Sequence, residues 1–129
     1  MYESLQQMQE ICETENKAFW ELVMEEEANE KQPSHEEVFE TMRSMYRAMV
    51  QADENYEDRR SASQMTGGAG ELMAKWNRDE KTLSGPFLGQ VMERALKMAE
   101  SNACMKRIVA APTAGSCGVI PAVLLPYYE

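Results

Sequence analysis

Hydrophobic residues recur at intervals of three or four along the first half of the chain, a spacing that predicts amphipathic helices. Three helices are predicted there, over residues 4–13, 17–30 and 34–53. In the second of these, Phe19, Leu22 and Val23 form the expected buried stripe. The third has a clear start, because Ser34 followed three residues later by Glu37 matches a capping box. The first half is therefore predicted to be helical.

The second half alternates predicted helices with turns made of small residues. Helices are expected over residues 71–77, 84–101 and 119–125, and Ser84 is the expected cap of the middle one. The segment 108–111 precedes Pro112 and should be extended, because a residue before proline avoids the helical region. All seven glycines lie at or after Gly67, so the loops that tend to build sites belong to this half.

These elements predict an all-α fold, an irregular helical domain of about five to six helices with Gly-rich loops. We expect a single domain over residues 1–129, made of an acidic helical segment (1–60) and a loop-rich site segment (61–129). Helix 119–125 is apolar on every side and therefore requires burial on all faces. The chain is thus expected to be truncated before further helices that would cover it, and to form a homo-oligomer through this C-terminal apolar helix.

The charge and the cysteines exclude several classes of protein. The net charge is −9, and residues 1–60 hold 16 acidic and six basic side chains, which argues against nucleic-acid binding. No apolar run approaches the roughly 20 residues that span a membrane, and no signal segment precedes the first helix, so a cytoplasmic protein is expected. Three widely spaced cysteines do not suggest a disulfide framework.

The segment from Ala111 to Pro121 is the strongest candidate for chemistry. It is a tight turn of small residues that leads into a helix, and its successive backbone N–H groups can hold an anion such as a carboxylate. The Cys117 thiol near the helix start is expected to be shifted toward the thiolate, the form that binds metal. A turn needed only for close packing is the alternative, and the residues alone leave both interpretations open.

The run from Arg107 to Ala122, which has the sequence RIVAAPTAGSCGVIPA, resembles the signature of the iron–sulfur L-serine dehydratases. Residues 65–68 (MTGG) and 81–85 (KTLSG) also resemble the alpha chain of that family, as does the acidic helical start. The resemblance therefore covers essentially the whole chain. The residue after the glycine pair is commonly acidic in the family but is Ala69 here, and Lys106 stands where a glycine is common.

The resemblance implies an L-serine ammonia-lyase of amino-acid catabolism and gluconeogenesis, which converts L-serine to pyruvate and ammonia with a beta chain or domain as partner. It also implies a [4Fe-4S] cluster held by three cysteines, of which Cys117 is the first and the others lie in a later segment beginning Cys-Asp-Pro. No such segment occurs in these 129 residues, so neither a bound cluster nor activity is expected of this chain alone. The implied substrate-binding residues form two turns: Thr113, Ala114, Gly115 and Ser116, and Thr66, Gly67 and Gly68.

Other reactive side chains are expected to have ordinary roles. Cys12 and Cys104 match no ligand position of the family and are expected to be small, buried or partly buried apolar side chains. His35, the single histidine, should be exposed in the first turn of a helix. The alternative to an enzyme is a non-catalytic helical module that binds a partner through its apolar surface.

Overall fold

The computed structural model describes residues 2–31, 34–79 and 82–129, and within these ranges it contains helices, turns and loops but no strand. The six α-helices are α1 (Leu5–Glu15), α2 (Phe19–Lys31), α3 (His35–Glu54), α4 (Ala69–Arg78), α5 (Gly85–Ala103) and α6 (Val119–Tyr128). A short 3-10 helix, Ala114–Ser116, precedes α6. The all-α prediction is confirmed, and each predicted helix has a counterpart within a few residues.

Local side-chain chemistry explains the starts of α1 and α3, whereas the predicted cap of α5 is not formed. Ser4 Oγ accepts a hydrogen bond from Gln7 N at 3.1 Å and caps α1. At the start of α3, Ser34 N donates to Glu37 Oε2 at 2.8 Å and Glu37 N donates to Ser34 Oγ at 3.3 Å, so the capping box is confirmed. Ser84 makes no side-chain cap to α5, which corrects the prediction. Its backbone is already helical (φ −84°, ψ −4°) rather than extended as a capping residue usually is.

The chain forms two compact units, and the first comprises Met1–Ser44. Here α1 packs against α2, and Lys17 Nζ bridges the carboxylates of Glu15 and Glu25 at 2.7 and 2.9 Å. The predicted stripe of α2 is only partly buried: Leu22 is 2% exposed, whereas Phe19 and Val23 are 54% and 42% exposed. The prediction is wrong for these two side chains, because the short helix α1 covers little of the α2 surface.

The second unit comprises Met45–Glu129, and α5 is its central element because both α4 and α6 pack against it. A small core joins Ala52 of α3, Met98 of α5 and Cys117, with Ile108 packed beside it. A Cβ atom added at Gly118 would lie 3.2 Å from the carbonyl oxygen of Ala95, so the glycine lets the chain before α6 approach the α5 backbone closely.

Helix α6 is buried on one face only. Pro121, Ala122, Leu125 and Pro126 are buried, at the spacing of a single helical face. The prediction that every face of this helix needs cover from outside the chain is therefore wrong for Leu125, since it is 4% exposed. The remaining aliphatic side chains of the helix are 40–63% exposed, and they are Val119, Ile120, Val123 and Leu124. Within the described ranges, no helix has both the length and the apolar character needed to cross a membrane.

Candidate functional site

The turn from Thr113 to Gly118, called the second turn below, is closed by the Ser116 side chain. Thr113 N donates to Ser116 Oγ at 3.2 Å, and Ser116 Oγ lies 3.0 Å from Thr113 Oγ1. The same hydroxyl is within hydrogen-bond distance of the carbonyl oxygens of Ala111 and Thr113, at 3.0 and 3.1 Å. Ser116 N donates to Thr113 O at 3.2 Å. The amides of Thr113 and Ser116 are therefore committed to the turn itself.

Ala114 and Gly115 carry the open amides of the second turn. Both residues are exposed, and neither N–H has an acceptor among the residues that the structure describes. The carbonyl of Ala114 is directed inward, where it accepts from Asn102 Nδ2 of α5 at 3.1 Å and from Cys117 N at 3.3 Å. Two consecutive free N–H groups of this kind form a concavity suited to an anion. Of the four backbone amides from Thr113 to Ser116 that were predicted as donors, those of Ala114 and Gly115 are open among the described residues.

Cys117 lies at the base of the second turn and is 2% exposed, in contact with Ala52 and Met98. Burial raises the pKa of its thiol above the ordinary value, which is the opposite of the predicted shift toward the thiolate. Helix α6 begins only at Val119, so Cys117 precedes the helix instead of lying in its first turn. The loss of solvation therefore outweighs any stabilisation of the thiolate by the helix end.

The first turn, from Thr66 to Gly68, is tied to the preceding loop. Ser61 N donates to Thr66 O at 2.8 Å, and Thr66 N donates to Ser61 Oγ at 3.3 Å. Gly67 adopts φ +138°, and a Cβ atom there would lie 2.7 Å from the carbonyl oxygen of Arg59. Gly68, at φ +87°, is the N-cap of α4. This turn requires glycine at position 67 for both conformation and space.

Glu100 is a residue of this region that the sequence did not predict. It is 4% exposed, and its Oε1 accepts hydrogen bonds from the amides of Ala69 and Gly70 at 2.7 and 3.2 Å. Its other oxygen, Oε2, accepts from the Tyr56 hydroxyl at 2.7 Å. The N-terminus of α4 is thus an anion site that the carboxyl group of the chain itself fills. Open amides are available to an external carboxylate at the second turn, whereas here Glu100 already occupies the amides of Ala69 and Gly70.

Both turns are attached to the last turns of α5, the first through Glu100 and the second through Asn102. Among the described residues, no hydrogen bond joins one turn directly to the other. The one signal in the sequence that could have revealed Glu100 is the spacing of Glu93, Lys97 and Glu100, which places three charged side chains along a single line of a helix.

The remaining reactive side chains lie where the sequence predicted. Cys12 and Cys104 are partly buried, and Cys104 Sγ lies 3.7 Å from the Arg59 carbonyl oxygen. His35 is exposed at the start of α3. In the described part of the chain, no three Cys, His, Asp or Glu side chains are grouped so that they could hold a metal ion. The second turn itself contributes a single thiol, that of Cys117.

The structure is an all-α protein with a turn that carries two open amides beside a buried thiol, and sequence comparison gives its family. A profile of the serine dehydratase alpha chain family matches residues 14–129. The chain is 29% identical over its whole length to the L-serine dehydratase, alpha chain, of Peptoniphilus asaccharolyticus, of which it covers 45%. It is 30% identical over its whole length to the probable L-serine dehydratase, alpha chain, of Bacillus subtilis (strain 168), of which it covers 43%.

The chain therefore belongs to the serine dehydratase alpha chain family, as its resemblance to that family indicated. It spans less than half the length of these curated relatives. No solved structure matches it.

Proposed function

We propose that this chain forms part of an L-serine dehydratase, which converts L-serine to pyruvate and ammonia. The observation that carries the proposal is the position of the open Ala114 and Gly115 amides two to three residues before the buried Cys117 thiol, in one turn. Membership of the serine dehydratase alpha chain family supports the same assignment. We further propose that residues 1–129 belong to one helical domain of the alpha chain.

The second turn binds the carboxylate of L-serine. The Ala114 and Gly115 amides donate to the two carboxylate oxygens, and hydrogen bonds from backbone N–H groups to an ionised acceptor are stronger than those between neutral groups. Ser116 keeps its own amide and hydroxyl within the turn, so its role is to hold the donors in place. In this proposal Thr66, Gly67 and Gly68 contact the substrate from the first turn.

Cys117 fits one ligand of an iron–sulfur cluster. Thiolate sulfur is the ligand that such clusters take, and the side chain lies among apolar neighbours that exclude water. Because burial keeps the free thiol neutral, binding of iron would release its proton. When bound, a [4Fe-4S] cluster supplies a Lewis acid for the departing hydroxyl group. The remaining thiolates come from outside these 129 residues in this proposal.

The reaction removes the Cα proton and the β-hydroxyl of L-serine as one molecule of water. The product is an enamine, which gains a proton at carbon and is hydrolysed to pyruvate and ammonia. Holding the carboxylate at Ala114 and Gly115 fixes the Cα–Cβ bond relative to Cys117, and such orientation is a large part of enzymatic rate enhancement.

The partners follow from the same assignment. A beta chain or domain completes the enzyme, and the exposed face of α6 is an apolar surface available for contact with it, with further alpha-chain helices or with a second copy of this chain. We propose a cytoplasmic enzyme.

The test is the anaerobic conversion of L-serine by the complete enzyme, with pyruvate and ammonia measured together. Equal amounts of the two products are expected, and Ser116→Ala should raise KM about tenfold, because the turn loses the hydroxyl that closes it. Ser44→Ala is the matched control, since Ser44 is an exposed serine of α3, outside both turns. An enzyme that forms neither product from L-serine would overturn the proposal.

A further inference from the structure

We infer that Asn102 is a positioning residue that locks the Ala114–Gly115 peptide in the orientation that binds the substrate carboxylate. The inference rests on the proposed function of the second turn. Asn102 lies in the last turn of α5 and is partly buried, and its Nδ2 donates to the carbonyl oxygen of Ala114 at 3.1 Å. It has no polar contact in the structure with the open amides themselves, so it acts through the peptide that carries one of them.

The direction of the Ala114 carbonyl decides the direction of the Gly115 amide. In a planar trans peptide the C=O and the following N–H point to opposite sides. Because Asn102 holds the Ala114 carbonyl toward α5, the Gly115 N–H must face away from α5, where the residue is exposed. The carbonyl of Thr113 points into the turn, where it accepts from Ser116 N at 3.2 Å, so the Ala114 N–H points out of the turn.

The residues of the turn permit a second conformation that would destroy the site. Thr113 to Ser116 form a four-residue turn with a hydrogen bond from Ser116 N to Thr113 O, and its central residues Ala114 and Gly115 are in 3-10 conformation, as in a type I turn. Rotation of the central peptide converts a type I turn to type II, which requires a positive φ at the third residue and favours glycine there. Gly115 occupies that position, so the sequence allows both forms.

Rotation of the Ala114–Gly115 peptide would replace the N–H donor on the exposed side of the turn with a carbonyl oxygen, which is an acceptor. The Gly115 N–H would turn toward α5, and the Ala114 carbonyl oxygen would face the carboxylate and repel it. Within the turn, the Ala114 carbonyl is held only by Cys117 N, at 3.3 Å, among the residues that the structure describes. The shorter bond from Asn102 comes from a different element, and it favours the type I form over the type II form.

The experiment uses the isotopically labelled 129-residue chain and L-serine as the probe. In the wild type, the Ala114 and Gly115 amide signals should shift with added L-serine, and the nuclear Overhauser effect between the Ala114 Hα and the Gly115 amide proton should be weak, as in type I turns. In Asn102→Ala, that effect should become strong, as in type II turns, and the serine concentration at half-saturation should rise about tenfold.

Two further variants distinguish the loss of the positioning hydrogen bond from Asn102 from a general loss of structure. Asn55→Ala removes an exposed asparagine whose Nδ2 also donates to a backbone carbonyl, that of Gln51 at 2.7 Å, and it should behave as the wild type. In the double variant Asn102→Ala/Gly115→Ala, the nuclear Overhauser pattern should return to type I, because alanine disfavours a positive φ. A Cβ atom at Gly115 would meet its nearest neighbour, Thr113 Oγ1, at an ordinary 3.8 Å.

The outcomes distinguish the inference from the proposed function. If Asn102→Ala keeps the type I pattern and the wild-type saturation, the inference is overturned and the carboxylate site stands. If the double variant keeps the strong nuclear Overhauser effect expected of Asn102→Ala, then Asn102 does not select between the type I and type II forms of the turn. A wild-type chain whose Ala114 and Gly115 signals do not respond to L-serine would overturn the carboxylate site, and with it the role of Asn102.

Discussion

Glu100 and Asn102 lie two residues apart near the end of α5, and each holds one of the two Gly-rich turns. Glu100 accepts from the Ala69 and Gly70 amides after the first turn, and Asn102 donates to Ala114 in the second. Because successive residues are rotated by about 100° around a helix, these side chains leave α5 in nearly opposite directions. The two turns are therefore positioned by one rigid element, and a change in α5 should affect both.

Removal of the Glu100 side chain should destabilise the chain strongly. In Glu100→Ala, the amides of Ala69 and Gly70 and the Tyr56 hydroxyl lose their buried acceptor, at a cost of about 3 kcal/mol in the free energy of unfolding. Glu54→Ala is the matched control, because Glu54 is exposed at the end of α3, and it should change the value by less than about 0.5 kcal/mol. Urea unfolding measures both, and equal effects would contradict the role given to Glu100.

Alanine at the two adjacent glycines of the first turn should have unequal effects. A Cβ atom at Gly67 would lie 2.7 and 2.8 Å from backbone atoms of Arg59 and Arg60, whereas a Cβ atom at Gly68 meets nothing within 4 Å. Both positions have positive φ, which costs about 1 kcal/mol or more for alanine. Gly67→Ala should therefore cost about 3 kcal/mol and Gly68→Ala about 1 kcal/mol. Thermal unfolding that ranks the two variants in the opposite order would refute this geometry.

Asp53 should make stability depend on acid pH. Burial raises the pKa of its carboxyl group and outweighs Arg94, whose Nη1 lies 3.6 Å from Asp53 Oδ2. Because the folded pKa lies above the unfolded value of about 3.9, the stability that Asp53 contributes is present below that value and is lost as pH rises through the folded pKa. The neutral isostere in Asp53→Asn should therefore be more stable than the wild type at pH 7.

The difference between Asp53→Asn and the wild type should shrink as pH falls from the folded pKa toward about 3.9, and it should be small below that value, where the aspartate is neutral in both the folded and the unfolded chain. Urea unfolding at a series of pH values gives this difference directly. Asp58→Asn serves as the control, since Asp58 is exposed in the loop after α3. A variant that is less stable than the wild type at neutral pH would show that the ion pair with Arg94 outweighs burial.

The open face of α6 should cause self-association of this chain. Leu124 is 43% exposed beside three other partly exposed apolar side chains, and large patches of this kind seldom remain in contact with water. Sedimentation velocity should show a dimer or a larger species, and Leu124→Glu should shift it toward monomer. Leu72→Glu makes the same change at a 57% exposed leucine of α4 and should leave the distribution unchanged. A wild-type chain that stays monomeric would count against this surface.

Periodicity and capping predicted the helices, because both depend on residues close together in the sequence. Ser34 and Glu37 illustrate this, since their reciprocal hydrogen bonds are local and were predicted. Glu100 was missed because its partners, Tyr56, Ala69 and Gly70, are more than 29 residues away and a lone glutamate in a helix is usually solvated. The pKa of Cys117 was predicted in the wrong direction for a related reason. Its burial by Ala52 and Met98 is a tertiary effect, whereas proximity to a helix is local.

We propose that the turn containing Cys117 forms the site of a serine dehydratase, and a comparison of two cysteine variants of the complete enzyme tests this directly. After anaerobic reconstitution, Cys117→Ser should lose bound iron and sulfide, the visible absorbance and the deamination of L-serine. Cys104→Ser, which changes a partly buried cysteine that matches no ligand position, should retain all of them. Normal iron content and normal turnover in Cys117→Ser would show that Cys117 is not a ligand of the cluster.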